Sequence, residues 1–199
     1  VFTDTFFIDQ SELINKILCS GKSLIDHTAA EDYVGYHYDD GSLCIYKENN
    51  ILTYGTKQSS YVYNCIQYDE QFDSYNADKY LTDADLPFLD RETAWSECKK
   101  ILSEIGVILP DEYICYVMDH QIMEQEENAI DSEGNEVEEK KKDSWTQADD
   151  CYFFMAEGTW NELPVIGKAL QEQGTSEYNI QIMYGKDGIF SLSVVGYYP

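Results

Sequence analysis

Few residues in this 199-residue chain are of types that do chemistry. There are three histidines, His27, His37 and His120, and six cysteines, Cys19, Cys44, Cys65, Cys98, Cys115 and Cys151. A Ser-His-Asp site would draw on one of the histidines, but no Gly-x-Ser-x-Gly context is present. If Asp40-Gly41 fills a two-residue hairpin turn, His37 stands directly opposite Cys44. An imidazole there can lower the thiol pKa and make a nucleophile, although opposed strand residues are far more often plain neighbours. Cys115 and His120, five apart on an expected strand, point to opposite faces. The cysteines contain no CxxC, so zinc-ribbon and thioredoxin-like sites are unsupported. Buried thiols acting as small apolar groups are the favoured reading, and disulfides stay open if the chain is exported. Asp83-Ala-Asp85 with Asp90 offers clustered carboxylates to a hard cation, and Asp131-Ser-Glu-Gly-Asn135 superficially resembles a calcium loop. Its glycine is misplaced, and both stretches read better as turns rich in capping acids. Gly21-Lys22-Ser23 lacks the rest of a phosphate loop. No catalytic residue, metal ligand or cofactor is therefore assigned.

The elements that would position these residues are legible from period and caps. Asp9-Gln-Ser-Glu12 resembles a capping box, followed by Leu13, Ile14, Ile17 and Leu18 on one helical face, with Gly21 ending the helix. From Tyr33 the period changes to two, and 33–38, 42–47, 51–54 and 61–68 read as a strand meander. Residues 69–90 are polar and give the best boundary. Asp90 is a plausible N-cap for a helix over 91–105. Its stripe is Ala94, Trp95, Cys98, Ile101, Leu102 and Ile105, and Gly106 stops it. Strand-like runs follow at 113–123, 151–155, 178–184 and 189–197, the last two joined by Lys186-Asp187-Gly188. Between them lie a polar excursion at 124–150 and a Trp160–Pro164 turn with a short helix expected at 165–173. The expected fold is α+β: antiparallel sheets with one or two packed helices, the C-terminal half being a helix followed by a four-stranded antiparallel sheet. The expected division is 1–80 and 81–199.

Composition narrows the function classes. The formal net charge is −25, from 38 acidic residues against 13 basic, of which only Arg91 is an arginine. Such a chain repels phosphate backbones and anionic membrane surfaces, which argues against nucleic acid as a partner. The charge suits solubility, cations or basic partners. Seventeen tyrosines against eight phenylalanines fit half-buried sheet surfaces, where the ring packs and the hydroxyl stays wet. No run reaches the roughly 18–20 apolar residues of a membrane span. The chain opens on Val1 rather than Met, which fits a mature or a truncated chain, any targeting segment having been removed.

Three stretches of the second half resemble a PepSY-like domain of secreted lipoproteins from Gram-positive, clostridia-like bacteria. They are Arg91-Glu-Thr-Ala-Trp-Ser-Glu-Cys-Lys-Lys-Ile-Leu-Ser-Glu-Ile-Gly106, Tyr152-Phe-Phe leading through Leu163-Pro164-Val165, and Ile180-Gln-Ile-Met-Tyr with Gly188-Ile-Phe-Ser-Leu-Ser-Val. The resemblance covers about half the chain and brings no catalytic residues. It implies binding or regulation of another protein or a cell-envelope component outside the membrane. It also implies attachment through a removed N-terminal lipid anchor and an extracellular, cell-surface location. The expected function is a non-enzymatic extracytoplasmic binding or regulatory module, with Trp160, Asn161, Pro164, Glu133 and Asn135 as candidate binding residues. The alternatives are an intracellular acidic interaction or immunity-type protein, and a hydrolase using His37 or His120 as base.

Overall fold

The computed structural model describes residues 5–66, 68–69, 74–127, 142–160, 163–164 and 178–197. Helices α1 (Phe6–Asp9) and α2 (Ser11–Leu18) lead into strands β1 (Leu24–Ala29), β2 (Tyr33–Tyr38), β3 (Leu43–Lys47) and β4 (Ile51–Gly55). Helix α3 (Lys57–Tyr63) follows, then a small ribbon of β5 (Tyr68–Asp69) with β6 (Ser74–Tyr75), and a 3-10 turn at Asn76–Tyr80. Next come α4 (Arg91–Glu104), β7 (Ile114–Met118) and α5 (His120–Glu126). A second 3-10 turn, Gln147–Asp149, opens onto β8 (Cys151–Ala156), followed by β9 (Thr159–Trp160) paired with β10 (Leu163–Pro164). β11 (Ile180–Gly185) and β12 (Gly188–Val194) complete the order.

Eight of these strands form one antiparallel sheet, ordered β1-β2-β3-β4-β12-β11-β8-β7. This corrects the expected four-stranded C-terminal sheet with one or two helices. β7, β8, β11 and β12 do make a meander, but β12 continues into β4, with Leu192 opposite Tyr54 and Val194 opposite Leu52. Period-two patterning marks a strand without naming its lateral neighbour, and a free β12 would expose a row of unpaired backbone groups. The two halves each run helix then four-stranded meander, and they join edge to edge.

Register explains the two faces. Tyr36, Cys44, Tyr54, Leu192, Ile182, Phe154 and Cys115 are linked pair by pair across seven strands. This row packs under α1, α2 and α4 in one core containing Phe7, Ile14, Trp95, Cys98 and Leu102. Trp95 packs on Phe154 at 5.2 Å between centroids. As expected, Asp90 caps α4, its carboxylate accepting the Thr93 amide at 2.8 Å. On the opposite face the row runs Ile114, Met155, Gln181, Ser193, Thr53, Ile45, Gly35 and Thr28. Its apolar C-terminal end is covered in a second core by Val62 of α3, Tyr80, Met123 of α5 and Trp145. Its N-terminal end is more open, with Ile45 half-buried and Thr53, His37 and Lys47 exposed. Phe190 is the extra residue between the Tyr184–Ile189 and Met183–Ser191 pairs, and this bulge sends it into the second core.

Several local readings change. The expected strand at 61–68 begins as α3, because the three-residue alternation Tyr61-Val62-Tyr63 is too short to fix a period. The expected cap at Asp9 gives way to α1, and α2 starts after Gln10 without a side-chain cap. β1 is an added strand at residues whose sequence carries no clean alternation. Residues 165–173 lie outside the described residues.

Candidate functional site

One group of chemistry-bearing side chains is assembled by sheet register. Met118 pairs with Cys151, so Asp119 and Asp150 stand side by side just beyond the last β7–β8 pair. Asp119 then caps α5, accepting the Gln121 amide at 2.8 Å, and this turns the chain so that His120 starts a helix. His120 therefore does not continue a strand from Cys115, contrary to the sequence expectation. Asp150 is 2% exposed, and its Oδ1 lies 2.8 Å from the His120 amide and 2.7 Å from His120 Nδ1. Asp119 Oδ2 lies 3.8 Å from the same ring nitrogen. Asp149 stands behind them, fixed by a capping box with Thr146 and by Lys142 at 3.0 Å. The Asp150 hydrogen bond, with Asp119 and Asp149 adding charge, raises the His120 pKa from its ordinary 6.5.

The arrangement fixes one tautomer: Nδ1–H donates to Asp150, leaving Nε2 as the free ring nitrogen. An imidazole oriented by a buried carboxylate is the orienting half of a nucleophilic or metal site. One ligand atom each from Asp119, His120 and Asp150 lies within 4.8 Å of the others. Nδ1, the ring atom facing both carboxylates, is already committed to Asp150, so a metal there would have to displace that proton. No hydroxyl or thiol hydrogen-bonds His120 among the described residues. Cys151 is next in sequence, but it is wholly buried in the second core, and burial raises its pKa well above the ordinary thiol value.

The other sequence candidates are separated. The β2–β3 hairpin closes with a three-residue connection, Asp39-Asp40-Gly41, with Gly41 at φ +80°. That one-residue change places Tyr36 opposite Cys44 and His37 opposite Leu43, so His37 lies on the exposed face while Cys44 is buried under α2. His27 stacks on Tyr36 at 4.6 Å. Asp85 pairs with Arg91 at 2.7 Å, and Asp90 is occupied as a helix cap, which accounts for two of the three carboxylates considered for calcium. Trp160 and Pro164 lie on the β9–β10 ribbon, in the pairs Trp160–Leu163 and Thr159–Pro164. Asn161, Glu133 and Asn135 lie outside the described residues.

The feature the sequence did not signal is the β1 edge. All six residues, Leu24–Ala29, are exposed, with Leu24 at 51% and Ile25 at 68%. Ala30 donates its amide to Tyr33, so the ladder alternation turns the Ala29 amide off the sheet. Asp26 Oδ1 accepts the His27 amide at 2.9 Å and sets a carboxylate on the edge itself. Glu31, Asp32, Asp39 and Asp40 are exposed at its two ends.

No family model and no curated protein matches this chain. Its fold is similar to the crystal structure of an uncharacterized protein from Eubacterium rectale ATCC 33656, with a TM-score of 0.65 at 17% sequence identity. That match covers 100% of this chain and 57% of the other, so the chain spans little more than half the length of that protein. Among the described residues no helix is long and apolar enough to cross a membrane.

Proposed function

We propose that this chain is a non-enzymatic binding module that takes a basic, extended segment of another protein along β1. The observation that carries the reading is the wholly exposed six-residue edge strand with Ile25 and Leu24 uncovered. An incoming strand would displace Asp26 from the His27 amide, pair with the outward backbone groups and lay apolar side chains beside these two. Asp26 with Glu31, Asp32 and Asp39 would meet its Lys or Arg side chains, in keeping with a net charge of −25. Tyr33 adds an amphipathic surface next to the edge, its ring lying where a Gly35 side chain would stand. An extracytoplasmic, lipid-anchored setting belongs to the same reading and is supported by the PepSY-like resemblance of the second half.

The test is fluorescence anisotropy with a soluble peptide of alternating Val and Lys. Binding should weaken with salt and fall at least about tenfold in Ala29→Pro, which removes an outward donor without touching the β1–β2 ladder. Ile108→Asp, exposed far along the chain, should bind like wild type. Unchanged binding in Ala29→Pro, or none by wild type, would sink the reading.

A further inference from the structure

Cys19 and Cys44 are brought together by separate elements, with their sulfurs 3.4 Å apart. Cys19 is the C-cap residue of α2, and Cys44 is the second residue of β3. The approach is held by the layer around it. Tyr46 donates to Asn15 Oδ1 at 2.7 Å, fastening α2 to β3 one turn before Cys19. Lys22, three residues after Cys19, reaches Asp40 at 2.8 Å and Ser42 and Tyr54 at 3.1 Å each. Cys19 is 4% exposed and Cys44 is sealed beneath it at 0%.

We propose that Cys19 and Cys44 form a reversible disulfide, made by exchange with low-molecular-weight disulfides, that fastens α2 to β3. The sulfurs need to close by about 1.4 Å to reach bonding distance. The Cys19 thiolate attacks one sulfur of the small disulfide, forming a mixed disulfide and expelling one small thiolate. Cys44 then gives up its proton and attacks the Cys19 sulfur, expelling the second. The two protons leave on the two released thiols, so the protein pair is oxidised and the small disulfide reduced. The order follows from the surroundings. The Cys44 contact, aided by Tyr38 and Lys22, holds the Cys19 pKa below the ordinary thiol value against its burial. The same contact and burial hold Cys44 above it.

Folded protein would be incubated with oxidised glutathione, alkylated, unfolded and digested with trypsin. Cleavage after Lys16, Lys22 and Lys47 puts the two cysteines on separate peptides, 17–22 and 23–47. The expected result is a fall from six free thiols to four, with those two peptides joined. The closed loop of 25 residues should raise the melting midpoint by about 5–10 °C, reversed by reductant. Six thiols surviving in the folded chain, or a bond joining any other pair, would overturn the proposal. Cys44→Ala should stop at a glutathione adduct on Cys19, and an adduct elsewhere counts against the pair. Because Cys44 lies in the core, Cys19→Ser serves as the second variant. Its five thiols should all stay reduced, and any loss overturns the proposal.

Discussion

Asp150 spends one carboxylate oxygen on two donors of a single residue, the amide and the ring of His120. Replacing it with Asn keeps the shape and removes the charge, leaving a buried site with weakened partners. The cost should be about 1–3 kcal/mol in chemical denaturation. The pH dependence has a definite sign. Because the folded-state pKa of His120 is raised, its contribution is complete below the unfolded value of 6.5 and is lost as pH climbs through the higher folded value. Wild type should therefore lose stability as pH rises past 6.5, and Asp150→Asn should flatten that slope. An NMR titration of the His120 ring should show a midpoint above 6.5 that drops in the variant; an unmoved midpoint would refute the assignment. This cluster was only half legible in the sequence. Asp119-His120 are adjacent, but Asp150 is thirty residues away, and only the β7–β8 register joins them. The His37–Cys44 pair failed for the converse reason: one extra turn residue moved it off register and onto opposite faces.

Elements were legible where several local signals agreed. α4 carries a cap at Asp90, a long apolar stripe and a left-handed Gly106 at φ +80°, and each points to the same helix. β1 and α3 carry no such agreement of signals, so tertiary packing decides them. The ends of strands are set by another device that sequence patterning does not mark. Asn179, buried at the start of β11, accepts the Gly158 amide at 2.6 Å beyond β8 and donates to the Val195 carbonyl at 3.1 Å beyond β12. One side chain thus fastens three strand ends and closes one end of the C-terminal meander. Asn179→Ala would strand a buried amide and a carbonyl, and should cost about 2–4 kcal/mol. Hydrogen exchange should locate the effect. Faster exchange confined to 156–158 and 194–196 is expected, and exchange no faster there than at β2–β3 would contradict the role.

At the scale of the molecule, the sequence shows two helix-plus-meander halves, and the register shows why they act together. Leu52, Tyr54, Leu192 and Val194 lie on the same face at the β4–β12 junction, and all four are buried in one core with residues of α1, α2 and α4. Neither half can be withdrawn without opening a central sheet edge and uncovering that shared core. The second face divides at the same line: sealed by α3 and α5 on the C-terminal side, more open on the N-terminal side next to β1. The C-terminal meander thus carries packed side chains on both faces and joins a neighbour whose outer strand β1 is exposed, and the −25 charge is carried by both. Unfolding should accordingly be a single transition, the same whether followed by far-ultraviolet circular dichroism or by fluorescence of the three tryptophans. Val194→Pro should test the joint directly. The ring removes an amide that the β4–β12 ladder turns toward Leu52, at a cost of about 3 kcal/mol or more. Because both halves depend on that ladder, the loss should lower both probes together. Separate transitions for the two halves in the wild type would show that the sheet is continuous in geometry but not in energy.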